Sequence, residues 1–265
     1  MSDHEQPNDA DYLQTTKWSV PQFLLVFAVG FGAALMAGIL VFAAAGDELS
    51  VAAFAVVFGV QAGASLAAMW WLSRTRGTGS LAADFGLELH LSDWWALLAG
   101  FGLQIAVALL MAPLIQLLFP EGPPQQEVAT LTASSSGVTE GLLVVVMVGL
   151  LAPLVEEMMF RGMLLSRAVR SLSRAWAVVA TAAAFAGVHL LDPSAIAVLP
   201  GLFTIGVVLA IVSLRRGDLS LAIPLHAGVN LTAALLLVFG DQITAWLEDA
   251  QANLEQIEGL VRLFF

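Results

Sequence analysis

Polar and apolar positions along this chain separate on the scale of whole membrane spans. Seven stretches lack Asp, Glu, Lys and Arg: 20–46, 51–72, 94–119, 141–155, 175–191, 193–214 and 219–240, the fourth resuming after a charged triplet and running on to 165. Each approaches or exceeds the roughly 20 residues that a helix needs to cross a bilayer. The pattern predicts an all-α fold, a polytopic helical membrane protein of about seven transmembrane helices in a single membrane domain. Within it, 20–119 holds the first three helices and 138–240 the last four. Beyond 240, Ile243, Trp246, Leu247, Leu254, Ile257, Val261 and Phe264 recur at three- and four-residue spacing with Glu248, Asp249, Glu255 and Glu258 between them. That periodicity predicts an amphipathic C-terminal helix over 241–265 at the outer interface.

Two connections read less sharply. Leu87, Leu89 and Leu91 alternate with Glu88 and His90 at a period of two, so the segment between the second and third spans fits either a strand or a helix. The stretch 119–137 holds Pro120, Pro123, Pro124 and three consecutive serines, and reads as an external connection.

Composition agrees with the spans. Hydrophobic residues make up 59% of the chain, charged ones 12%, and the mean hydropathy is +0.87, far from a soluble domain of 265 residues. The net charge of −11 reflects acids spread over the tail (Asp3, Glu5, Asp9, Asp11) and the loop after the third span (Glu121, Glu127, Glu140). This is a solvated surface, and without a basic patch nucleic acid is not an expected partner. The polar, acidic segment 1–17 followed by a long first span predicts a cytoplasmic tail and signal anchor, not a cleaved leader. The absence of cysteine removes disulfides, thiol nucleophiles and thiolate metal sites.

Orientation follows from the basic residues. Lys17, Arg74, Arg76, Arg167, Arg170, Arg174, Arg215 and Arg216 occupy the tail and every second loop, Arg161 lies within the fourth span, and Arg262 falls on the other side. The alternation predicts an odd number of spans, with the N-terminus cytoplasmic and the C-terminus outside.

Against that background Glu156, Glu157 and Arg161 stand out. Each would cost roughly 2.5–3.5 kcal/mol at bilayer depth, so they mark a candidate functional site with a partner and a cavity. Glu157 and Arg161 are four apart, on one helical face, in the acid-before-base order that favours pairing. Glu156, offset by about 100°, is left to face the cavity as a candidate general base. Pro153 lies one turn earlier and loosens the helix there.

Two further motifs follow on later spans: Phe185-Ala186-Gly187-Val188-His189 and His226-Ala227-Gly228-Val229-Asn230. The i,i+4 spacing puts His226 and Asn230 on one face. In a hydrolase one histidine could share the water with Glu156, while the other histidine and the asparagine donate to the oxygen of a tetrahedral intermediate. Residue counts put Glu156 and His226 at similar depths of roughly 15 Å from the nearest loop arginine, and His189 at roughly 22 Å unless its helix starts late.

The three motifs, Glu-Glu-x-x-x-Arg, Phe-x-x-x-His and His-x-x-x-Asn in that order, resemble those of the membrane CAAX-protease and bacteriocin-processing family (CPBP/ABI) of intramembrane endopeptidases, over about residues 141–237. The resemblance implies a glutamate-type intramembrane protease in which Glu156 and His189 activate water. It further implies an oxyanion hole from His226 and Asn230, support from Glu157, Arg161 and Phe185, and a membrane or lipid-anchored protein or peptide as substrate.

Structural readings stand beside the functional ones. Buried ion pairs such as Glu157–Arg161 persist for structure alone, and single membrane His and Asn residues serve as interhelical glue. No metal or other cofactor is expected. The alternative chemistry is a zinc protease with Glu156, His189 and His226 as ligands, although no His-Glu-x-x-His motif is present. A non-proteolytic membrane scaffold or immunity factor is a second alternative. A transporter is disfavoured because no inverted repeat is visible.

Overall fold

The computed structural model describes residues 18–45, 50–88, 90–124, 130, 138–236, 239, 244–246, 248 and 251. The tail 1–17 and most of 241–265, including the expected amphipathic helix as a whole, lie outside the described residues. So does most of the 119–137 connection.

Among the described residues seven apolar helices follow one another: α1 Val20–Ala45, α2 Val51–Arg76, α3 Trp95–Leu118, α4 Thr139–Ala168, α5 Arg174–Val188, α6 Leu199–Arg216 and α7 Ala222–Leu236. Six of these are long and apolar enough to cross a membrane; the described part of α7 is shorter and begins after a turn at 217–221, where the sequence suggested helix from 219. The chain is a helical polytopic membrane protein. Between α2 and α3 the described residues form a one-turn helix, Leu81–Phe85, and a 3₁₀ turn, Leu91–Trp94, with no strand.

Helix ends follow local chemistry. Ser50 accepts from the amide of Ala53 at the start of α2, and Ser173 caps α5 through Trp176. Gly217 closes α6 in the left-handed region at φ 85°, where a side chain would be strained.

Helix α4 is the centre of the bundle. In its most apolar window 44% of residues are buried, against 11% in α1 and in α3. Met158, Met159, Phe160 and Met163 of α4 pack with Trp18, Phe23, Met69, Phe85 and Phe185 in the main core. α4 is also irregular: Val145–Leu151 and Met158–Leu165 have wide, π-type turns on either side of the α-helical Ala152–Glu157. Such turns concentrate at functional sites. Pro153, at the start of the α-helical piece, lacks the N–H that a regular ladder would need there.

Helix α7 is seated on α3 by two glycines. A Cβ on Gly100 would collide with the carbonyl oxygen of Leu225, and one on Gly228 with that of Leu97. The backbones therefore touch, as small residues allow in membrane helix pairs. Gly228 lies within the third motif, so this seat fixes where His226 and Asn230 fall.

Every second connection meets on one face of the bundle. Trp18 Nε1 donates to the carbonyl of Asp84 (2.9 Å), and Arg170 donates to the carbonyl of Trp18 (2.6 Å). The amide of Leu219 donates to Gly86 (2.9 Å), while Arg216 and Ser220 converge on Asp93 at 3.0 and 2.8 Å. These bonds gather the entry to α1 and the α2–α3, α4–α5 and α6–α7 connections, the positions where the loop arginines fall.

Candidate active site

Glu156 and Glu157 close the α-helical piece of α4, and Arg161 follows within the second wide-turn segment. Glu157 is fully buried and Arg161 1% exposed; their ion pair, Arg161 Nη1 to Glu157 Oε1, measures 2.8 Å. A second guanidinium nitrogen donates to the carbonyl of Gly206 on α6 (3.2 Å), and the group lies over the Phe185 ring of α5 at 4.7 Å. This one side chain thus ties α4 to α5 and α6.

The histidine of α7 completes the cluster. His226, 3% exposed, places Nδ1 2.8 Å from Glu157 Oε1. An ion-paired carboxylate oxygen can only accept, so Nδ1 carries the hydrogen. Its other nitrogen, Nε2, reaches Glu156 Oε2 at 3.7 Å. His226 therefore spans both carboxylates. Glu156 differs from its neighbour in having 28% of its side chain exposed and no hydrogen bond among the described residues. Glu157 Oε2 is buried and makes no hydrogen bond among the described residues.

His189 lies one turn further along. α5 begins at Arg174, and not later as the depth count would have needed, so His189 falls just past the last α-helical residue, in the 3₁₀ turn His189–Leu191. Its Nδ1 is 2.8 Å from the carbonyl of Phe185, which fixes the hydrogen on Nδ1 and leaves Nε2 as an acceptor. The Phe185 ring stands between the two histidines, 5.2 Å from the His189 ring and 5.6 Å from that of His226, edge-on to both. No hydrogen bond joins His189 to Glu156 among the described residues. Asn230, half-buried, donates from Nδ2 to the carbonyl of Val148 (2.9 Å) in the first wide-turn segment of α4. Leu231 closes over Gly149 alongside, where an added Cβ would sit 2.5 Å from Leu231 Cδ2.

The structure thus brings together Glu156, Glu157, Arg161, Phe185 and His226, and places His189 and Asn230 at the margins. Sequence reasoning did not foresee Gly100, Gly206 or Val148 as partners; the small-residue spacing of α3 and α7 was the available signal for the first. Among the described residues, the group whose possible metal-ligand atoms all lie within 4.8 Å of one another is Glu88, His90 and Asp218, on the loop face, and not Glu156, His189 and His226.

Residues 138–232 match the family model described as type II CAAX prenyl endopeptidase Rce1-like. The resemblance drawn from the three motifs is borne out over that stretch, which runs from the start of α4 into α7. No curated protein and no solved structure matches the chain.

Proposed function

We propose that this protein is an intramembrane endopeptidase in which Glu156 activates a water molecule for attack on a peptide bond. The observation that carries the reading is the contrast between two adjacent carboxylates: Glu157 is enclosed and saturated at one oxygen by Arg161 and His226, while Glu156 is part-exposed and makes no hydrogen bond among the described residues, with His226 Nε2 3.7 Å away. The match to an endopeptidase family model over the same helices supports it. Glu156 takes a proton from water, the resulting hydroxide adds to the scissile carbonyl, and the proton passes to the departing amine as the C–N bond breaks.

His189, with Nε2 free to accept, shares the water from the far side of Phe185. Substrate binding beside Glu156 would draw it toward that carboxylate, since catalytic hydrogen bonds are often long before substrate binds. His226 Nε2 and the Asn230 carboxamide form the oxyanion hole, a contribution of roughly 3–4 kcal/mol per donor. As an imidazolium, His226 would donate from both nitrogens, and Glu156, Glu157, Arg161 and His226 would then sum to zero charge. Glu157 and Arg161 hold that ring in place.

The substrate is a membrane or lipid-anchored protein or peptide, cut near the face where the loop arginines gather. By the positive-inside rule that face is cytoplasmic, with the N-terminus on the same side and the C-terminus outside. A comparison of the proteomes of membranes carrying wild-type protein and Glu156→Ala tests the reading. Peptide fragments present only with wild type support it, and identical fragment sets overturn it.

A further inference from the structure

We propose that the cleft between the loop ends of α5 and α6 is a binding site for one anionic phospholipid. The cleft has a volume of about 450 Å³ and is lined by Arg174, Val178, Val179, Ile211, Leu214 and Arg215, with Ala175 at its edge. Its polar and apolar parts are stacked. Arg174 is four residues before Val178 on α5, and Arg215 four residues after Ile211 on α6, so each arginine sits one helical turn nearer the loop end of its helix than an apolar lining residue. A glycerophospholipid has the matching order, a phosphate at the mouth and an acyl chain along the floor.

Three observations favour a lipid anion over an empty surface cleft. Arg174 and Arg215 have no carboxylate partner among the described residues, in a chain of net charge −11. Arg174 opens α5, where a cation opposes the positive end of the helix dipole and an anion would relieve both. Trp176, 67% exposed and two residues from Arg174, is the aromatic anchor expected at headgroup level, which sets the mouth of the cleft at that depth. The floor, by contrast, is continuous with the core of Leu165, Ala177, Val178, Ala210 and Leu214. Basic pockets between membrane helices on the cytoplasmic side are the known setting for anionic headgroups. Because this cleft is separate from Glu156 and His226, the inference does not depend on the peptidase reading.

The test is the number of lipids that full-length protein, purified in detergent, retains from vesicles of equal phosphatidylglycerol and phosphatidylcholine, counted by native mass spectrometry. Wild type should retain one phosphatidylglycerol. Arg174→Gln with Arg215→Gln should weaken retention about thirty-fold, the loss expected for two arginines at an anionic surface, while Arg76→Gln on another loop should leave it unchanged. Should the double variant fail to fold, Ile211→Trp, which fills the floor and keeps both charges, should also lower retention. Equal retention of both lipids, unchanged retention in the variants that fold, or displacement of the lipid by millimolar inorganic phosphate would each overturn the proposal.

Discussion

Glu157 Oε1 accepts from Arg161, one turn away on its own helix, and from His226 Nδ1, 69 residues distant, both at 2.8 Å. One oxygen atom therefore joins the first motif to the third. Removing the cation would leave a fully buried carboxylate held only by the imidazole, and breaking a buried pair in this way costs about 3–5 kcal/mol. Arg161→Ala is accordingly expected to lower the thermal unfolding midpoint in detergent by many degrees. Glu156→Gln, at the open carboxylate, should melt with wild type. Equal melting of all three proteins would contradict the division of roles between the acids.

The α3–α7 seat leads to a second expectation. At Gly228 an added methyl group meets the Leu97 carbonyl, so α7 must shift away from α3 and carry His226 and Asn230 with it. Overpacking of this kind costs about 1–3 kcal/mol. Gly228→Ala should therefore lose fragment production and some stability although no polar group is removed. Gly102→Ala on α3, where a Cβ meets nothing within 4 Å, should behave as wild type.

Orientation can be read by labelling, because the chain has no cysteine and any introduced one is the sole thiol. Ser80 and Ser171 are exposed on the face where the arginine loops meet, and Ser50 is exposed at the opposite end of α2. In intact cells a membrane-impermeant maleimide should label Ser50→Cys and spare Ser80→Cys and Ser171→Cys, which react only after permeabilisation. The reverse pattern would invert the topology.

Metal dependence separates the proposed chemistry from the zinc alternative. Activity in membranes should survive strong chelators, and purified protein should show no zinc whose loss parallels activity. Stoichiometric zinc lost together with activity, and displaced by His226→Ala, would favour the metalloprotease.

The site's local features were legible in the sequence because they are consequences of spacing. The i,i+4 relation of Glu157 to Arg161 forms within a single helix, and so does the face shared by His226 and Asn230; charge at bilayer depth exposes the first motif without any alignment. What could not be read was which helix each polar group would meet. That His226 would span both carboxylates depends on the Gly100–Gly228 seat. The wide turns of α4 lie against side chains of α1, α2, α5, α6 and α7, and no single local residue specifies them. The clasp of Trp18, Asp84 and Arg170 joins segments up to 152 residues apart, and periodicity carries no information at that range.

The central claim is that Glu156 delivers water to a peptide bond, and oxygen-18 reports on that step directly. Membranes carrying wild-type protein, incubated in ¹⁸O-labelled water, should yield protein fragments whose new C-terminal carboxylates hold one heavy oxygen, and membranes carrying Glu156→Gln should yield none at the same sites. Equal labelled cleavage in Glu156→Gln, whose melting matches wild type, would contradict the account.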